Sequence, residues 1–197
     1  MTLHRRTLLT LLPVPFVANR AWARELSADL RRGGYVIYLR HAETDTKPEP
    51  TLGDIKDCLW QRNLTPAGKT QATTIGQILK ELGVRYGQVA SSPFCRCRDT
   101  AQLVAVRPAQ VLPELLYHVT QSPNEQAAGI ERLRVLLSNH EPGGRCTLLV
   151  GHAPPFKALT GIELAEGQAA IILPRQTKDF DIAGFLDAKG VRSRDDG

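Results

Sequence analysis

The stretch YVIYLRHAETD, residues 35–45, decides how the rest of this chain is read. Tyr35 to Leu39 are apolar or aromatic, the composition of a short buried strand. The run stops at Arg40 and His41 and gives way to Glu43 and Asp45. A strand that only had to end could use Gly or Asn. An arginine and a histidine side by side instead put a planar cationic fork and an imidazole at one strand end.

Outward from this point, strands and helices alternate. Residues 42–63 are polar, contain Pro48, Pro50 and Gly53, and read as a long loop. Thr65 suits a helix cap, with Pro66 at the first helical position. Ala72, Ile75, Ile78, Leu79 and Leu82 keep a helical period up to Gly83. The spacing predicts a strand over 88–91, a helix over 96–106 and an extended stretch over 109–116, weakened at its end by Pro113. A helix over 124–139, a strand over 145–152 and at most a short helix over 154–160 follow. Two late strands, 169–174 and 180–188, suit a hairpin, and the tail RSRDDG, 192–197, is expected to fray. This order implies βαβ units: an α/β fold, a three-layer α/β/α sandwich with a mainly parallel central sheet.

In such sheets ligands bind outside the carboxyl ends of the strands. Arg40-His41 closes one strand, Gly151-His152 another, and Ser91-Ser92-Pro93 a third, with Arg96 just beyond. Two imidazoles and two guanidiniums at one edge describe a phosphate site. The arginine fork matches phosphate oxygens bidentately. A neutral histidine beside it can attack phosphorus, and a second can donate to the equatorial oxygens. The guanidiniums neutralise the phosphoryl group, so neither a metal nor another cofactor is expected.

The N-terminus reads separately. MTLHRRTLLTLLPVPFVANRAWA has Arg5 and Arg6 in a basic head, an apolar stretch from Leu8 to Ala18, and an Ala21-Trp22-Ala23 cleavage signature. Residues 1–23 are expected to be a secretory signal, of the Sec or twin-arginine type, and 24–197 a single domain exported to the periplasm. The alternative is an amphipathic N-terminal helix of the domain. Three of the 25 basic residues and none of the 20 acids precede residue 24, so the remainder carries 22 cations against 20 anions, net +2. That balance demands no nucleic-acid partner. No apolar run of 18 residues occurs, so no stable membrane insertion is expected after cleavage. Cys58, Cys95, Cys97 and Cys146 permit two disulfides in three pairings, and C-x-C alone is a weak metal motif.

LRHAET resembles the RHG signature of the histidine phosphatase superfamily, the phosphoglycerate mutase-like branch. LTPAGKTQATTIGQIL, 64–79, resembles the family's L-T-x-x-G-x-x-Q-A segment. SSPFCRCRDTA, 91–101, resembles its S-S-P-x-x-R-x-x-x-T-A block, and LLVGHAP, 148–154, its second-histidine motif. The four blocks stand in family order across most of 35–154. The resemblance implies a phosphoglycerate mutase-like fold with His41 as nucleophile, Arg40 and Arg96 as the phosphate clamp, and His152 completing the pocket. Arg98 falls on another helical face. Ala42 stands where the family carries glycine, and alanine would be strained if that position needed positive φ. Many members place a glutamate after the third strand to protonate the leaving oxygen. Here the stretch is LPELLYHV, which leaves His118 and Glu114 as candidates, on one face if the segment is a strand. The stretch also resembles the small SixA-like phosphohistidine phosphatases, which lack that glutamate.

The implied reaction is hydrolysis of a phosphomonoester or phosphoramidate through phospho-His41, on a small phosphorylated substrate. A periplasmic or cell-envelope phosphate suits an exported chain better than a cytosolic phosphorelay protein. The rival readings are a non-catalytic phosphate-binding module of the same fold and a phosphohistidine-protein phosphatase. Glu43 and Asp45 read as loop acids, either of which could orient an arginine.

Overall fold

The computed structural model describes residues 16–193 except 49, 50, 52, 119, 140 and 176–178. The first fifteen residues of the expected signal and residues 194–197 of the tail therefore lie outside the described residues. A helix, α1 (Phe16–Arg32), precedes the first strand, β1 (Val36–Arg40). The remaining elements are α2 (Pro66–Glu81), β2 (Tyr86–Ser91), α3 (Cys95–Ala105), β3 (Gln110–Val111), α4 (Pro123–Leu137), β4 (Cys146–Gly151), α5 (Ala153–Thr160), β5 (Ala169–Pro174), β6 (Phe180–Asp187) and β7 (Gly190–Arg192).

All seven strands join one sheet in the order β3-β2-β4-β1-β5-β6-β7. β3, β2, β4 and β1 run parallel; β5, β6 and β7 are antiparallel additions beyond β1. The late hairpin expected at 169–188 is β5–β6. The short β7 was not expected, because Gly-Val-Arg offers no periodicity to read.

Alternation along the strands builds two cores. Ile37 and Leu39 of β1 face a core with Leu26 and Leu30 of α1, Ala72, Ile75 and Leu79 of α2, and Ala101 and Val104 of α3. Val36 and Tyr38 face the other core, with Leu133 and Leu137 of α4 and Phe156 of α5. Two helical layers thus cover a sheet whose inner strands are buried on both faces, which is why VIYL and CTLLVG read as unbroken apolar runs.

One local expectation is corrected. The extended stretch over 109–116 survives only as Gln110–Val111, and Pro113–Leu115 is a 3-10 turn. Pro113 fixes φ near −65° and lacks the N–H a strand would donate, so it starts a turn.

The helix that follows the long loop is held where the sequence places it. The Thr65 side chain accepts from the Gly68 N–H at 2.9 Å and donates to Glu43 Oε1 at 2.6 Å. Gly68 lies so close to the segment after β1 that a Cβ on it would meet the Glu43 carbonyl oxygen at 2.1 Å. The glycine of L-T-P-A-G is therefore required by contact. Gly68→Ala is expected to cost roughly 1–3 kcal/mol, read as a lower urea midpoint with unchanged slope.

Candidate active site

The parallel register of β2, β4 and β1 brings three strand ends to one edge. Arg40 is paired with Gly151, and Ser91 with Val150. The ladder runs one step further: the His41 N–H donates to the Gly151 carbonyl at 3.1 Å and the Ser92 N–H to the Val150 carbonyl at 2.9 Å. His41 and His152 therefore stand side by side, both buried, their ring centroids 5.7 Å apart and the planes inclined by 68°. Arg96, in the first turn of α3, is buried with its guanidinium 4.2 Å from the centre of the Phe94 ring. Arg40, His41, Arg96 and His152 line one cavity of about 200 Å³. Arg98 is exposed on the other side of the helix.

Hydrogen bonds fix the ring orientations. His41 Nδ1 lies 2.9 Å from the Ala42 carbonyl oxygen. A carbonyl can only accept, so Nδ1 carries the proton and Nε2 keeps its lone pair. His152 is held through its backbone, whose N–H donates to Tyr38 Oη at 3.1 Å and whose carbonyl accepts from it at 2.9 Å. Tyr38 comes so close that a Cβ at Gly151 would lie 2.5 Å from its oxygen, which explains the glycine before His152. His152 Nε2 meets Ser92 Oγ at 2.9 Å.

Burial, more than the Arg96, Arg40 and Arg62 charges, pulls the His41 pKa down to about 3. His152 is lowered well below the usual histidine value by burial, then by Arg96. Glu166 Oε1 lies 4.0 Å from His41 Nδ1, but with a neutral ring this is no ion pair.

Glu166 organises the cations instead. Its Oε1 lies 3.6 Å from Arg40 Nη2 and 3.5 Å from Arg62 Nη2, and it accepts from the Thr44 hydroxyl at 3.0 Å. Arg40 Nη1 donates to the Leu164 carbonyl at 2.8 Å. Arg62 Nε donates to the Asp45 carbonyl at 3.0 Å, so Asp45 orients an arginine through its main chain. Arg62 lines the same cavity, making three guanidiniums against one carboxylate.

The loop carrying Arg62 is clasped to the start of α3. Cys58 and Cys95 form a disulfide, one of the possible pairings, while Cys97 and Cys146 are buried and not disulfide-bonded. Buried Gln61 accepts from the Cys95 N–H at 2.9 Å and donates to the Ile55 and Asp57 carbonyls.

The two acid candidates part company. His118 is buried in the cavity wall, its ring stacked on Phe94 at 6.0 Å. Its Nδ1 accepts from the Thr120 N–H at 3.2 Å, which puts the proton of the neutral ring on Nε2. Glu114, in the 3-10 turn, is exposed and lines a different cavity. The turn removes the shared strand face that would have paired it with His118. Ala42 is fully buried, donates to Thr100 Oγ1 at 3.0 Å and has no positive φ, so it is accommodated without strain.

Arg62, Glu166 and Tyr117 were missed by sequence reading. The first two sit in loops whose approach to β1 follows no periodicity; Arg62, two residues before the L-T-P-A-G block, had the nearest usable signal.

Residues 36–116 match the histidine phosphatase superfamily (branch 1). The matched segment carries Arg40, His41 and Arg96. A broad-specificity phosphatase of Saccharomyces cerevisiae is 35% identical over 69 residues, which are 35% of this chain and 28% of that protein's length. The fold is that of solved family structures. The protein histidine phosphatase SixA complexed with tungstate superposes with a TM-score of 0.58 at 20% identity, over 79% of this chain and 97% of that one. The alpha-ribazole phosphatase of Shigella flexneri gives 0.53 at 18% identity, over 81% and 96%.

In the unfolded chain each histidine takes a proton as pH falls through about 6.5. Folded, His41 stays neutral down to about 3. Its stabilising effect is thus complete above pH 6.5 and declines from there toward pH 3, by roughly a kcal/mol per unit, with His152 acting in the same direction. Ring-proton NMR of the ligand-free protein is expected to show His41 and His152 without a titration between pH 8 and 5, while denaturant stability falls over pH 6 to 4.

Proposed function

We propose that the chain is a phosphatase that works without a metal ion and hydrolyses small phosphomonoesters through a phosphohistidine on His41. The observation that carries this reading is the neutral, oriented imidazole of His41 inside a cavity lined by Arg40, Arg62, Arg96 and His152.

The guanidiniums hold and neutralise the phosphoryl oxygens. The Nε2 lone pair of His41 attacks phosphorus as the bond to the ester oxygen breaks, and that oxygen takes a proton and leaves as the alcohol. Water then attacks phosphorus, the P–N bond breaks, and inorganic phosphate and neutral His41 are regenerated. His152 donates to the equatorial oxygens from Nδ1 once the Ser92 hydroxyl donates to its Nε2. His118 acts in its imidazolium form, with Nδ1–H donating to Thr120 Oγ1 at 2.7 Å: it gives the Nε2 proton to the leaving oxygen, is left as the neutral imidazole, and recovers a proton on Nε2 from the attacking water. Glu114, at the other cavity, takes no part in this step.

The wild-type protein rapidly quenched with a phosphate ester is expected to carry acid-labile phosphate on His41, and His41→Ala none. Phosphate binding with no turnover and no phosphoenzyme would make the chain a binding module instead. His118→Gln is expected to lower kcat about 10²-fold or more on alkyl phosphates and far less on 4-nitrophenyl phosphate, whose leaving group needs no acid. A loss equal on both would assign His118 a structural role.

Export belongs to the same reading. The Ala21-Trp22-Ala23 signature and the Cys58–Cys95 disulfide both suit an oxidising compartment. Among the α1 side chains that are described, those that enter the core, Leu26 and Leu30, follow the proposed cleavage point. The cell-envelope protein is expected to start at Arg24; a mature chain retaining residues 1–23 would contradict this.

A further inference from the structure

Beside the phosphate cavity lies a second one, between the turn after β3 and helices α4 and α5. Tyr117 and Pro154 line both, so the two adjoin at a shared wall. Its inner surface is apolar, from Tyr38, Leu115 and Leu133, all buried. Its charged lining groups are the carboxylates of exposed Glu114 and Glu125; its other polar side chains are the amides of Gln121 and Gln126 and the phenols of Tyr38 and Tyr117. Among the described residues no lysine or arginine lines it, although Arg132 Nη2 comes within 3.8 Å of where a Gly129 Cβ would stand. The Glu125 carboxylate is tied into the α4 cap by Ser122, which fixes an anion at this position.

We infer that this cavity holds the alcohol portion of the substrate and selects phosphate monoesters with an uncharged, apolar alcohol over those bearing a second anionic group. The inference rests on the phosphatase reading above. A leaving oxygen in line with His41 must exit from the phosphate cavity, and Tyr117, 6.2 Å from the His152 ring and adjacent in sequence to His118, stands at the shared wall. An apolar alcohol gains contact with Leu115, Leu133 and the Tyr117 ring. A carboxylate or second phosphate there would meet Glu114 and Glu125 with no cation among the described lining residues to pair with it, a desolvation and repulsion cost.

Gly129 gives a clean way to fill the cavity. It lies on α4, lines the cavity, and an added Cβ would meet only Arg132 Nη2, at 3.8 Å. A side chain there also favours the helix. The full chain and its Gly129→Leu and Glu114→Lys variants would be assayed on acetyl phosphate, benzyl phosphate, glycerol 3-phosphate and 3-phosphoglycerate. The wild type is expected to show kcat/KM at least tenfold higher for benzyl phosphate than for 3-phosphoglycerate, with glycerol 3-phosphate, matched in size to the latter, above it. Gly129→Leu is expected to lower the benzyl-to-acetyl ratio of kcat/KM tenfold or more, through KM. Glu114→Lys is expected to narrow the gap between glycerol 3-phosphate and 3-phosphoglycerate severalfold. If acetyl phosphate turns over but 3-phosphoglycerate matches the neutral esters, or both variants leave these ratios unchanged, the selectivity inference falls while the phosphatase reading stands. If no substrate turns over, both fall.

Discussion

The parallel alignment of β2, β4 and β1 is the constraint on which the site depends. Each strand is fixed to its neighbour by a hydrogen-bond ladder that cannot slip without turning a buried face to water. Because the three run the same way, their carboxyl ends open on one edge, where His41 after β1 and His152 after β4 fall at the same level and Ser92 after β2 lies one step before them. Tyr38 locks this arrangement from beneath: it stacks on Phe156 at 5.0 Å and spends its hydroxyl on both backbone groups of His152. A side chain of the core thereby fixes a residue of the site.

Electrostatics then turns position into chemistry. An imidazole buried among guanidiniums disfavours a second proton, so His41 keeps a lone pair, and its Nδ1 contact places that lone pair on Nε2. The guanidiniums would repel one another without a counterion, and Glu166 bridges two of them. The same crowding favours an incoming oxyanion, which supplies the negative charge that one carboxylate cannot. The disulfide-clasped loop matters here, because it sets Arg62 against the helix that carries Arg96 without relying on a large core.

The legible part of the site was the part encoded next to strand ends. Arg40, His41 and His152 follow apolar runs directly, and Arg96 sits one turn into a helix, so local pattern and the rule for parallel sheets locate them together. Arg62 and Glu166 arrive from loops, 22 and 126 residues from Arg40 in sequence, and only the tertiary fold brings them near it. Glu114 shows the opposite failure. Its spacing from His118 was correct for a strand, but Pro113 makes a turn, and the two side chains separate into adjoining cavities. Ala42 departed from the family's glycine without consequence, since its backbone never enters the region that glycine alone tolerates.

The central claim is geometrical: one oxyanion-sized hole, several cations, and a nitrogen lone pair in line. A crystal structure of the protein with orthovanadate tests it most directly. The account predicts vanadium bonded or closely apposed to His41 Nε2, with equatorial oxygens within hydrogen-bond distance of Arg40, Arg96 and His152. Vanadate seated away from His41, or contacting Nδ1 after rotation of the ring, would contradict it.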